Sequence, residues 1–169
     1  PIDGYTSDDF QAAMGALPQE GLQEVARVLS QALEGAGEQR EDYWKGRIQP
    51  FWQKVWPKSH ELASNSIAES LARLCVAAGG EFPSAVAALV DWLLPIEHPE
   101  YVAHHLHEAG LCARFPEAAL RFLAAIIVNQ RWAPRDLGRC LDAIAQAVPN
   151  LRQDPRHIRV TEYARQHGG

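Results

Sequence analysis

Four prolines, Pro50, Pro83, Pro116 and Pro149, follow one another at intervals of 33 residues. Two of them sit in nearly the same phrase, Glu81-Phe82-Pro83-Ser84-Ala85-Val86-Ala87-Ala88-Leu89 and Arg114-Phe115-Pro116-Glu117-Ala118-Ala119-Leu120-Arg121-Phe122. Proline suits the first turn of a helix, where its missing N–H has no intrahelical partner to lose. A Pro-led apolar helix that returns with such a period is the mark of stacked helical hairpins.

The rest of the chain reads in the same way. Thr6 to Asp9 supply capping side chains for a short helix with Phe10, Met14 and Leu17 on one face. Pro18 leads a helix with Leu22, Val25, Ala26, Leu29, Ala32 and Leu33 at helical spacing, and Gly35-Ala36-Gly37 ends it. Trp44 and Ile48 belong to the next helix, which Pro50 kinks or restarts ahead of Trp52, Val55 and Trp56. Ser66 and Glu69 form a capping-box pair before Ile67, Leu71, Leu74 and Cys75. Pro83 opens a helix carrying Val86, Leu89, Val90 and Leu93, and Pro99 opens one with Val102, His105, Leu106 and Ala109 inward. The run from Ala118 to Val128 is apolar on nearly every side, which predicts a central helix. Pro134 and Pro155 lead the last two.

Period-two alternation is absent, so the expected fold is all-α with about 8–10 short helices. Short loops predict antiparallel hairpins stacked as a HEAT-like α-solenoid or a compact superhelical domain. Residues 1–169 read as one domain: acidic N-terminal helices over 1–42, a Trp-rich junction over 43–58, and hairpin repeats over 59–169. The chain begins at Pro1 without an initiator methionine, which favours a piece of a longer protein.

Composition narrows the function classes. No apolar run approaches the roughly 20 residues of a membrane span, no secretory signal opens the chain, and cytoplasm is the expected setting. Cys75, Cys112 and Cys140 are too far apart for a C-x-x-C pair and sit among apolar neighbours, as buried thiols do. The net charge of −5 is unevenly spread. Nine acids face two arginines over 1–42, whereas nine arginines face five acids over 114–169. That asymmetry suits a partner surface or head-to-tail stacking as well as ordinary solvated faces.

Three clusters are candidates for function. Glu100, His104 and Glu108 lie four apart on one helix face with His107 beside them, a conceivable ligand set for zinc. Their order matches neither H-E-x-x-H nor H-x-x-E-H, so a metalloprotease is excluded. The balance favours no metal and no cofactor, with His105 as a hydrogen-bonded core residue. Trp52, Lys54 and Trp56 interleave rings with cations, a pattern that serves a protein interface, a stack of bases or a packed core. Arg135 and Arg139, with Arg131, Arg121 and Arg114, could meet an acidic partner or track phosphates. No nucleophile elbow or phosphate-binding glycine loop occurs, so this piece is not expected to be an enzyme.

The phrases Phe51-Trp52-Gln53-Lys54-Val55-Trp56-Pro57, Glu81-Phe82-Pro83 and Ala109-Gly110-Leu111-Cys112-Ala113-Arg114-Phe115-Pro116 are distinctive together. Over Gln49 to Gln166 they resemble the C-terminal helical region of large multidomain bacterial proteins, some linked to defence against phage and bearing nucleotide-binding or sirtuin-like domains upstream. The resemblance implies a sensor or scaffold that binds another protein or its own upstream domains, with chemistry elsewhere. The second expectation is nucleic-acid binding by the arginine-rich half.

Overall fold

The computed structural model describes residues 13–127 and 132–168. Ten α-helices have both ends within them, and no strand occurs among the described residues. The expected start of a helix at Thr6 lies outside them, as do Val128 and Arg131.

The long amphipathic helix α1 (Gln19–Gly35) buries Leu22, Ala26 and Leu33, the stripe its periodicity predicts. It packs along α4 (Asn65–Ala77), which is buried on most of its circumference. Between them run α2 (Arg40–Tyr43), a π-helical turn over Trp44–Ile48, and α3 (Gln49–Lys54). Pro50 cannot donate to the helical ladder, and the wide π turn just before it absorbs that break. Pro50 therefore restarts the helix.

The cap of α4 is Ser64, whose Oγ accepts from the Ile67 N–H at 3.3 Å; the expected cap at Ser66 lies two residues too late. Ser66 and Glu69 already lie inside the helix, where the first orphan donors have been served. Helix α4 ends at Gly79, whose φ of +59° is open to glycine. The turn Gly79–Glu81 is then fastened to α2 and to the π turn that follows it. Glu41 Oε1 accepts from the Gly80 N–H at 2.8 Å, and Lys45 Nζ meets Glu81 at 2.9 Å.

The two Pro-led phrases form α5 (Phe82–Leu89) and α8 (Pro116–Ile126), each with proline in its first turn. These helices pack against each other. The equivalent rings that precede each proline, Phe82 and Phe115, lie 6.5 Å apart, and Phe122 meets Phe82 edge-on at 5.4 Å. The doubled phrase thus places its two copies side by side in the core. Helix α5 ends earlier than its apolar residues suggest, passing at Val90–Trp92 into a 3-10 turn.

Helices α6 (Glu100–Glu108) and α7 (Leu111–Arg114) are joined by Gly110 at φ +69°, and α6 packs on α4. Helix α9 (Leu137–Ala147) packs on α6, α7 and α8, and α10 (Pro155–His167) closes the end against α8 and α9. Leu120, Phe122, Leu123 and Ile126 of α8 are fully buried, as expected of the central helix, while Arg121 reaches solvent. Ala109, expected inward on α6, is exposed because that helix ends there. Among the described residues no single helix is long and apolar enough to cross a membrane.

Candidate functional site

Five tryptophans divide sharply in this fold. Trp44, Trp52, Trp56 and Trp92 keep 0%, 8%, 1% and 3% of their surface exposed, whereas Trp132 keeps 66%. Trp52 and Trp56 stack 4.6 Å apart, and the edge of Trp92 meets Trp56 at 5.3 Å. The spacing of four on one helix end makes that stack, since residues i and i+4 are neighbours on a helical surface. Trp44 donates its indole N–H to Ser84 Oγ at 3.2 Å. Trp56 Nε1 is buried without an acceptor, a cost the ring stack must offset. Trp56 presents almost no surface to a partner, so of Trp52, Lys54 and Trp56 only Lys54 stands exposed to solvent.

Trp132 is held differently. Its carbonyl accepts from the Tyr163 hydroxyl at 3.3 Å, and the next N–H, of Ala133, donates to the His167 carbonyl at 3.2 Å. Both partners belong to α10, so the backbone beneath Trp132 is pinned while its indole lies in water. Pro134 is buried, and Arg135 and Arg139 follow, both exposed at the start of α9. Arg139 bonds Asp136 at 3.4 Å, and Asp136 also accepts from His104 Nδ1–H at 3.0 Å. Trp132, Arg135 and Arg139 are thus an exposed ring and two exposed cations close together in the chain, leading into and opening α9. The two arginines are among the expected contact residues, and the ring is not. Its signal was Pro134 two residues on, which takes Trp132 out of any helical stripe.

The metal set does not assemble. Among the described residues no three His, Cys, Asp or Glu side chains converge. His104 is spent on Asp136, and His105, expected in the core, is half-buried with its ring 4.2 Å from Tyr101. The buried histidine is instead His157 on α10. Its Nε2 bonds the Leu141 carbonyl at 3.2 Å, so that nitrogen carries the proton and Nδ1 accepts from Thr161.

The three cysteines are buried, as expected. Burial pushes the Cys75 thiol above its ordinary range; for Cys112 the hydrogen bond with Cys140 does so first, with burial second. Thiols held protonated are poor nucleophiles and poor metal ligands.

A second polar locus lies between α1, α2, α4 and α6. Arg73 of α4 donates to both oxygens of Glu34, at 3.1 and 3.4 Å, and lies over the Tyr101 ring at 4.2 Å. Burial works against that guanidinium's charge, and the Glu34 carboxylate with Tyr101 more than offsets it, so its pKa is raised. The fixed arginine walls a cleft of about 380 Å3.

The chain is similar to a protein of Sinorhizobium fredii (strain NBRC 101917 / NGR234) named "Uncharacterized protein y4cA", at 29% identity over 164 residues. The match covers 88% of this chain and 14% of that protein, so the chain spans only a small part of the curated relative's length. No family description matches the chain, and no solved structure does.

Proposed function

We propose that this chain is a non-catalytic helical interaction module, a stack of hairpins serving as sensor or scaffold within a longer bacterial protein. The observation that carries the reading is Trp132, the lone exposed indole among five, on a backbone pinned to α10. An exposed tryptophan forgoes a large apolar contribution, and tryptophan and arginine dominate interface hot spots. A pinned anchor also loses little conformational entropy on binding. The occupant that fits is an acidic protein segment with an apolar residue for Trp132, either from a separate partner or from the rest of its own longer chain. Arg135 and Arg139 supply the complementary charge.

The packing of α5 on α8, with Phe82 beside Phe115, supports the hairpin-stack reading. The small share of the relative that the match spans supports a part of something longer.

The test is a titration against the remainder of the parent protein, read by iodide quenching of tryptophan fluorescence. Binding should shield Trp132, and Trp132→Ala should weaken it by about tenfold or more without lowering the melting temperature. Arg135→Ala and Arg139→Ala should weaken it further and flatten its salt dependence. Unchanged affinity in Trp132→Ala would overturn the reading. Saturable binding of labelled single-stranded RNA or DNA that falls steeply with salt, and with the same arginine variants, would favour the nucleic-acid alternative.

A further inference from the structure

The Arg73 cleft has a construction that the interaction reading does not use. Its floor is Val102, which is 1% exposed, and its shelf is the Tyr101 ring, 45% exposed and leaning on His105 at 4.2 Å. Two arginines and two glutamates line it, and they are not equivalent. Arg73 and Glu34 neutralise each other. Arg40 and Glu108 line the same cleft, and neither has an ion pair among the described residues.

Arg40 is preset. Its Nε donates to the Gly37 carbonyl at 2.9 Å, which leaves both terminal nitrogens to a ligand. Its aliphatic stem lies over Gly79, where a Cβ would stand 3.1 Å from Arg40 Cδ. A guanidinium fixed through Nε offers two parallel donors, the geometry that takes a carboxylate from two sides. Tyr101, His105 and Glu108 fall at i, i+4 and i+7 of α6, so the ring shelf and the free carboxylate share one helix face.

A polyanion would meet Glu108 uncompensated, and a simple cation would meet Arg40. A ligand with one charge of each sign and an apolar body satisfies both and covers the shelf. A volume of about 380 Å3 lies in the range of small-molecule sites and suits one such metabolite. We propose that the cleft binds a free α-amino acid with an apolar side chain, its carboxylate on Arg40, its ammonium toward Glu108 and its side chain on Tyr101. The module then senses a metabolite at a site whose lining includes none of Trp132, Arg135 and Arg139.

Calorimetric titration of the whole chain with L-phenylalanine, 3-phenylpropionate and phenethylamine tests this. L-Phenylalanine should bind saturably, and the two single-charge analogues at least about tenfold more weakly. Arg40→Gln and Glu108→Gln should each weaken L-phenylalanine by about tenfold with the melting temperature kept, and Trp132→Ala should leave it unchanged. Glu108 is exposed and Arg40 half-buried, and the melting temperatures check that both glutamine variants fold. Equal affinity for the three probes, no saturation by any of them, or wild-type binding by both glutamine variants would overturn the proposal. Failure of Trp132→Ala to affect protein binding would leave it standing.

Discussion

The Trp52–Trp56–Trp92 cluster and Trp132 put the same side chain to opposite uses. In the cluster the rings are closed off by one another and by α5, and even an indole N–H without an acceptor is tolerated for the sake of the stack. At Trp132 the backbone is tied to α10 and the ring is left in water. Aromatic burial is therefore a property of the neighbours: four rings are packed against other residues, and one stands 66% exposed outside any helix. Stability is expected to live in the first group and recognition in the second.

Truncation at the cluster should show the largest effect. Trp56→Ala removes a fully buried ring and should cost about 3–5 kcal/mol, read by urea denaturation, with Trp52→Ala close behind. A cost under about 1 kcal/mol would break the comparison. Trp56→Phe sharpens it, because phenylalanine keeps the stack and removes the unpartnered N–H. Its loss should be under half that of Trp56→Ala.

Two intermediate effects lie in the scaffold around these regions. Ser64→Ala should cost about 1 kcal/mol by removing the cap of α4. The other is a pH effect at the N-terminal cap of α10, the end of that helix away from the Tyr163 and His167 contacts that hold the Trp132 loop. Asp154 holds a pKa of about 2, set first by the Arg156 side chain and then by the Arg156 N–H. A depressed carboxylate contributes stability above its unfolded value, near 3.8, and loses it as pH falls toward about 2. Melting temperatures should drop through that window, and Asp154→Asn should drop less there. An equal drop would remove Asp154 from the explanation.

The smallest expected change in stability is the one that matters most for function. Trp132→Ala should stay within about 0.5 kcal/mol of the parent while recognition is lost. A loss of several kcal/mol would make Trp132 a structural residue and erase the contrast.

The helices were legible because their signals are local. Proline positions located the starts of α5 and α8, and apolar spacing located the buried faces of α1 and α9. Boundaries erred where a nearby residue competes for the same cap, as Ser64 does with Ser66. His105 was misplaced because helical spacing gives only an angle around α6. Whether that angle meets the core or a cleft depends on α4 and its arginine.

Local chemistry alone determined that this chain is helical, where most of its helices start, and that its cysteines are apolar filling. Those are decided by caps, proline and the period of apolar residues, all within a few positions of one another. The tertiary structure decided which tryptophan stays in water, which histidine is buried, and that Glu34, Arg73 and Tyr101 share a cleft. Such outcomes follow from what another helix places above a side chain, and contacts across 39 residues leave no period in the sequence to read.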